Sequence, residues 1–386
     1  MPIAADRFLE HLAQCGVRFV AGVPDSLLRE LGRALAEGGA PIRHVVACNE
    51  GAAVGAAIGH HLATGRVPAV YMQNSGLGNA VNPLASMAAP DVYAIPMLLL
   101  VGWRGELAAD GAQVEDEPQH ALQGRITRGQ LDLLSIRHEI LGPDAHDARA
   151  IVQRLLDHAV ARQEPVALVV RRRAFAAGPG PGGGARPLPP TLTREDAIEA
   201  CLRALPAGTI TVTTTGMAAR ELYALRDARG ESHDFDFLVV GAMGHASHIA
   251  LGIALGARDR VVVCFDGDGA ALMHLGALPT CARAHALVHV VLNNDAHDSV
   301  GGQPTSAPGL RLAGLARACG YARVATVRTA ETLERAMRDA LGRADGGFIE
   351  ALCGVGHRTD LGRPSTLPRA AKEQFMRALR NPARGP

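Results

Sequence analysis

Two neighbouring stretches, VVVCFDGDGAALMHLGALPT (residues 261–280) and VHVVLNNDAHDSVGGQPT (288–305), decide how this chain reads. Each opens on a short run of β-branched and apolar residues of the kind that fills a parallel sheet covered on both faces. The first run ends at Gly267-Asp268-Gly269, where glycines would let a phosphate approach the backbone but a carboxylate would repel it. Three readings meet there. A tight strand-to-helix turn needs only the glycines and a capping Asp268. A dinucleotide site would use Gly267 and Gly269 with Asp295 as its ribose-binding acid, but Leu272 replaces the third glycine and Asp268 would face the pyrophosphate unshielded. A divalent cation removes the conflict, because Mg2+ takes one or two carboxylates, amide or backbone oxygens and phosphates together. Asp268 offers the carboxylate, and the next turn offers the side-chain carbonyl of Asn294 and the backbone carbonyl of Ala296.

The same rhythm of apolar strand and following helix extends in both directions. VRFVAGV, IRHVVAC, VPAVYMQ, AIPMLLLVG and PVALVV precede residue 173, and GTITVTT, FDFLVVG, RVVVCF, LVHVVLN and GFIEALC follow residue 193. Between them RAFAAGPGPGGGARPLPPTLTRED, residues 173–196, is dominated by glycine and proline. The fold class expected is α/β, with two doubly wound parallel-sheet domains over residues 1–173 and 194–386, a linker over 174–193 and no middle domain. In such folds ligands sit beyond the carboxyl ends of strands, so the turns after Val46, Val240, Phe265 and Leu292 are where chemistry is expected.

Composition narrows the function classes. The net charge is +1, from 39 basic and 38 acidic residues, which gives no polyanion-binding face and argues against nucleic acid. The only lysine is Lys372, in a polar C-terminal stretch, so neither a P-loop lysine nor a Schiff base is expected, and anions must be met by arginine, histidine or backbone amides. Cys15, Cys48, Cys201, Cys264, Cys281, Cys319 and Cys353 show no C-x-x-C spacing, which fits a reducing compartment and no zinc site. No signal-peptide layout or membrane-spanning run is present, so a soluble cytoplasmic protein with no membrane partner is expected.

Gly267-Asp268-Gly269, followed after residue 292 by Asn293-Asn294, resembles the cofactor signature of thiamine diphosphate enzymes. The resemblance implies thiamine diphosphate and Mg2+ as cofactors, with Asp268, Asn294 and Ala296 on the metal. It also implies amides at Ala270 and Ala271 aimed at the diphosphate, and a cofactor contact from Ser299. Two further stretches resemble the family. VVACNEGAAVGAAIGHHLATG (45–65) places Glu50 after an apolar strand, in a crowded helix of small residues, where the family keeps the carboxyl that protonates the aminopyrimidine ring. VGAMGHASHIALG (240–252) places Gly241 where a carbonyl accepts from that ring, and Met243 where an apolar side chain bends the cofactor. Family members complete each site across two subunits, so a homodimer or higher homo-oligomer is implied.

The compact layout, with FVAGVPDSLLREL, GWRGE, DEPQHALQG, the HDSVGGQPT tail and RTDLGRP, resembles the phosphonopyruvate decarboxylases, with sulfopyruvate decarboxylases as close relatives. The activity implied is decarboxylation of a small 2-oxo acid. Asp25 matches a carboxylate near the reacting centre, although an N-cap for a helix starting near Leu27 would also use it. His120 falls where related decarboxylases keep a histidine, but Gln119-His120 stands for their double histidine and Val300 for a glutamate found in some. His297 is a further acid-base candidate. Arg104, Arg125, Arg358, Arg363 and Gln303, with Thr305, are the candidate partners of a phosphonate. A nucleotide-dependent oxidoreductase and a non-catalytic assembly module remain the competing readings.

Overall fold

The longest apolar runs of the first half, MLLLVG and PVALVV, are buried along their whole length and lie side by side, as strands covered on both faces must. They are β4 and β6 of a six-stranded, all-parallel sheet: β1 (Phe19–Gly22), β2 (Arg43–Val46), β3 (Ala69–Gln73), β4 (Met97–Gly102), β5 (Arg137–Leu141) and β6 (Pro165–Val170), in the spatial order β2-β1-β3-β4-β6-β5. Alternate residues feed two cores. Leu98, Leu100, Val166 and Leu168 meet Phe8, Leu12, Leu31 and Leu155 on one face. Leu99, Val101, Ala167 and Val169 meet Ala53, Ala57, Leu77 and Leu131 on the other.

The second half repeats the plan. Its strands are β7 (Ile210–Thr213), β8 (Asp236–Leu238), β9 (Val262–Gly267), β10 (Leu287–Asn293), β13 (Val324–Val327) and β14 (Gly347–Leu352), and a small antiparallel hairpin pairs β11 (Ala296–His297) with β12 (Gln303–Pro304). The order is β13-β14-β10-β9-β7-β8. Numbered within its own half, this is the order of the first sheet read from the opposite edge. In both, the chain reverses direction across the sheet between the first and third strands, so a crevice opens at the carboxyl ends of β1 and β3, and of β7 and β9.

This computed structural model describes residues 1–144, 147–177, 192–284, 286–342 and 345–380. The chain divides into two compact units, Met1–Gly184 and Ala185–Pro386. Most of the expected linker lies outside the described residues. Its described ends belong to the units: Ala174 and Phe175 are buried in the first core, with Phe175 edge-on to Phe8, and Leu192 is buried in the second. The sequence reading missed β5 and β13. Both lie at sheet edges and are only partly buried, so RHEIL and VATV lack the continuous apolar run of the central strands. All seven cysteines are free, and among the described residues no helix is long and apolar enough to cross a membrane.

Gly22, the last residue of β1, lies against the ring and carbonyl of Tyr71, so that an added Cβ would stand 2.2 Å from the Tyr71 oxygen. Gly22→Ala is expected to force β1 and β3 apart and cost about 1–3 kcal/mol of stability, measured as a lower urea midpoint at unchanged slope.

Candidate active site

In the first unit β1 runs into Val23-Pro24-Asp25. The Asp25 carboxyl is buried, accepts from Gln73 Nε2 at the end of β3 (2.9 Å) and from the Leu27 amide (3.2 Å), and so bridges the crevice between the first and third strands. Burial raises its pKa, against the opposing pull of the Gln73 amide and the Arg104 charge. The α-helix proper begins at Arg29 with Leu28 as its N-cap, and the Asp25 carboxyl accepts from the backbone amides of Leu27 and Leu28 in the turn that leads into it. A Cβ on Gly102, the last residue of β4, would stand 2.1 Å from Asp25 Oδ2, which explains the glycine there.

Glu50 opens the helix Glu50–Thr64 directly after β2, with Asn49 capping it through the Ala52 amide (2.8 Å). Its side chain is buried, Oε2 accepts from Asn79 Nδ2 (2.7 Å), and a Cβ on Gly76 would stand 2.4 Å from Oε1. Asn79 and Gly76 belong to QNSGLGNA, residues 73–80, which the sequence reading passed over. The signal was present: a glycine-rich polar turn directly after an apolar strand, the same criterion that selected the other turns.

His120 is buried on the helix Pro118–Leu133, with Nε2 3.9 Å from Glu117 Oε2. Arg104 donates through Nε (2.8 Å) and Nη2 (2.5 Å) to the two oxygens of Asp116, and through Nη1 to Ser26 Oγ (3.0 Å). Burial opposes the charge on Asp116, but the Arg104 guanidinium and two backbone amides hold its carboxyl well below the usual carboxylate range. Arg104 is therefore largely committed within the protein. Arg125 is exposed and donates to Gln113 (2.9 Å), Arg358 is exposed and pairs with Glu195 and Asp360, and Arg363 is exposed.

In the second unit Asp268 opens the helix Asp268–Met273 at the end of β9 and is 2% exposed. Its carboxylate accepts from Thr305 Oγ1 (2.5 Å) and from the backbone of Asn294 at the end of β10. Thus Thr305, expected to be a substrate donor, instead spends its hydroxyl on the carboxyl. Burial pushes the Asp268 pKa up to about 6, with the Asp295 charge adding to the rise. Among the described residues no basic side chain pairs with it. A buried carboxyl in this state fits a cation ligand. Gly269 leaves room for His297 and Thr305, since a Cβ there would stand 2.8 Å from the His297 ring. Burial lowers the His297 pKa to about 4, which keeps the imidazole neutral.

The turn after β10 is held from beneath. Asn293 Nδ2 donates to buried Glu350 (2.9 Å), Asp295 adopts φ 57°, and Asn294 Nδ2 donates to Asp298 Oδ2 (2.8 Å) while its Oδ1 accepts from the Ala296 amide (3.2 Å). Gly267, Ala270 and Ala271 lie at the start of the Asp268–Met273 helix, where amides lack partners within the helix. The Gly241 amide donates to Thr215 Oγ1 (3.2 Å), Met243 is half-buried, and Ser299 lies beside Gly216, where a Cβ would be 3.4 Å from its Oγ. Gln303 is buried opposite His297 in the hairpin.

Because the folded Asp268 carboxyl titrates at about 6, above its ordinary 3.8, its contribution to stability is present at low pH and lost as pH rises through 6. Thr305→Val in metal-free protein is expected to cost about 1 kcal/mol at low pH, where it leaves the Ala307 amide (3.1 Å from Oγ1) without its acceptor, and more above that pH, where the charged carboxyl also loses its donor, read from urea denaturation on either side of the transition.

Residues 3–132 match the family described as thiamine pyrophosphate enzyme, N-terminal TPP binding domain, and residues 212–351 match its C-terminal TPP binding domain. The chain is 37% identical to the phosphonopyruvate decarboxylase of Streptomyces viridochromogenes, over 99% of this chain and 96% of that one. It is 36% identical to the phosphonopyruvate decarboxylase of Streptomyces hygroscopicus, over 98% and 95%. With the sulfopyruvate decarboxylase of Methanosarcina acetivorans it shares 28% identity over 97% of each chain. Two six-stranded parallel sheets of one strand order, a buried carboxyl that fits a cation, and full-length similarity of this kind converge: the chain belongs to the thiamine pyrophosphate enzymes, in the family of the phosphonopyruvate decarboxylases.

Proposed function

We propose that this protein decarboxylates 3-phosphonopyruvate to phosphonoacetaldehyde and CO2, with thiamine diphosphate and Mg2+, as a step of phosphonate biosynthesis. The observation that carries the substrate is the whole-length identity of 36–37% to phosphonopyruvate decarboxylases, against 28% to a sulfopyruvate decarboxylase. Sulfopyruvate is the second reading, favoured by that weaker but equally extended likeness and by matches of part of the chain to sulfopyruvate decarboxylase subunits, such as 38% identity over 132 residues with a beta subunit of Methanothermobacter thermautotrophicus.

Asp268, Asn294 and the carbonyl of Ala296 would hold Mg2+, and the metal would supply the charge that the buried Asp268 carboxyl lacks. Gly267 and Gly269 leave the backbone open, and the amides at Ala270 and Ala271 would receive the diphosphate. The Gly241 carbonyl and the Met243 side chain would set the cofactor's ring, with Ser299 alongside. When bound, thiamine diphosphate supplies the electron sink for the bond broken as CO2 leaves. Glu50 would give its proton to the aminopyrimidine; Asn79 and Gly76 fix the carboxyl from two sides and leave it little freedom to turn away. Asp25, whose burial favours the protonated form, is the proton donor proposed near the reacting carbon. His120 and His297 remain candidate acid-base groups, His297 as a neutral imidazole. Among the candidate substrate arginines, Arg104 is half-buried near Asp25, and with three of its five N–H groups given to Asp116 and Ser26 it would hold the pocket wall and offer the remaining two to a phosphonate.

Glu50 and Asp268 lie in different units. Completing the site across two copies of the chain, as the family does, supports a homodimer or higher homo-oligomer. Exposed Leu62, Val81, Met87, Val92 and Tyr93, on and after the helices Glu50–Thr64 and Leu77–Pro83, offer apolar surface for it.

CO2 release measured side by side from phosphonopyruvate, sulfopyruvate and pyruvate is expected to favour phosphonopyruvate, and preference for sulfopyruvate would overturn the substrate. Glu50→Gln is expected to reduce turnover by about 10²–10⁴-fold while leaving the thermal shift produced by Mg2+ with thiamine diphosphate in place. An unchanged rate would remove Glu50 from the reaction.

A further inference from the structure

Beneath the turn that carries Asn294 runs a continuous line of buried charge that none of the proposed cofactor contacts uses. Arg194, the first residue of the helix Arg194–Ala204, is 6% exposed. Its Nε and Nη2 donate to the two oxygens of Glu221 (2.7 Å each), which is 1% exposed on the helix Met217–Ala228. The remaining Nη1 donates to Asp298 Oδ2 (2.7 Å). The same Asp298 oxygen accepts from Asn294 Nδ2 (2.8 Å), and the Gly356 amide, in the segment after β14, donates to both Asp298 oxygens.

The chemistry of an asparagine amide gives this line a purpose. Its two ends differ by one atom, and a cation accepts only the oxygen. A carboxylate can only accept, so Asp298 draws the Asn294 amide nitrogen to itself, and Oδ1, held on the other side by the Ala296 amide (3.2 Å), keeps its second lone pair for a cation. Asp298 can hold that place because Arg194 neutralises it inside the protein, and Glu221 aligns the guanidinium by a two-pronged contact that leaves one nitrogen over for Asp298.

Resting on the metal assignment made above, we propose that Arg194, Glu221 and Asp298 are positioning residues that fix the side chain of Asn294 oxygen-outward for the divalent cation. The relay places the metal site under the control of two helices that do not touch the ion. Outer-shell partners of this kind commonly change metal affinity by about 10–100-fold when removed.

The test uses the full chain with thiamine diphosphate saturating and Mg2+ titrated, the readout being the Mg2+ concentration at half of the rise in melting temperature. Asp298→Asn, which can turn its own NH2 towards Asn294, is expected to raise that midpoint about tenfold. Glu221→Gln, on a helix outside the loop, is expected to raise it by a smaller factor, and it decides the matter even where Asp298→Asn does not fold. Asp236→Asn breaks a separate buried pair of the same unit, with Arg226, and is expected to lower the melting temperature without moving the midpoint. Wild-type midpoints in both Asp298→Asn and Glu221→Gln would overturn the positioning role, as would an equal displacement in Asp236→Asn. A wild-type protein whose melting temperature does not respond to Mg2+ would instead overturn the metal assignment, and the relay's purpose with it.

Discussion

A carboxyl group buried at the end of a strand, with no basic side chain among the described residues beside it, is the constraint around which the second unit is arranged. Asp268 reaches that position because Gly269 allows the His297 ring and Thr305 to close over the turn, and because the end of β10 lies alongside the end of β9. A hydroxyl and backbone amides satisfy its lone pairs in part but do not neutralise it. Burial therefore raises the pKa of the carboxyl to about 6, and a cation bound there, as proposed above, would offset the cost of burying its charge.

Elsewhere the second unit gives its buried charges built-in partners, and Glu350, 2% exposed, accepts from Asn293, Thr326 and the backbone amides of Leu312 and Ala313. Arg194 is satisfied by Glu221 and Asp298, and Asp236 by Arg226 and Thr211. Beneath β9, Asp266 meets His289 Nε2 at 3.3 Å, whose Nδ1 faces the Tyr321 hydroxyl, while the other Asp266 oxygen accepts from the Gly267 amide. Groups like these contribute less to net stability than to uniqueness of geometry, since each loses hydration on burial and regains it only when its partners stand in one arrangement. Their concentration below the two glycine-rich turns fits a region that must keep its backbone fixed before anything binds.

Much of this was legible in the sequence, for identifiable reasons. The central strands announced themselves as uninterrupted Val, Leu and Ile runs because they are covered on both faces, and the turn at Asp268 was readable because an acid between two glycines contradicts a bare phosphate site. The edge strands β5 and β13 were not legible, since half-solvated strands tolerate Arg, His, Glu and Thr. The turn that holds Asn79 and Gly76 could have been selected by its glycines, but that these two residues meet Glu50, and that Thr305 meets Asp268, depends on which distant carboxyl the fold brings to them, and neither spacing nor periodicity encodes that. The same holds for Arg194, one of 38 arginines, whose importance is a matter of three-dimensional neighbours.

The two sheets share one strand order, so their turns can be matched place for place. After the third strand the first unit has Asn74 where the second has Asp268, and after the fourth it has Arg104 where the second has Asn294. In the first unit those two residues bond to each other, Asn74 Nδ2 to the Arg104 carbonyl at 2.9 Å and the Arg104 amide to Asn74 Oδ1, with Thr127 completing the set. In the second unit the Asp268 carboxyl likewise accepts from the Asn294 backbone, so both copies of the frame tie the third turn to the fourth through a side-chain oxygen and a backbone amide. What differs is charge: the same place in the frame carries a neutral amide in one half and an ionisable carboxyl in the other, a change of one side chain that leaves the bond between the turns in place.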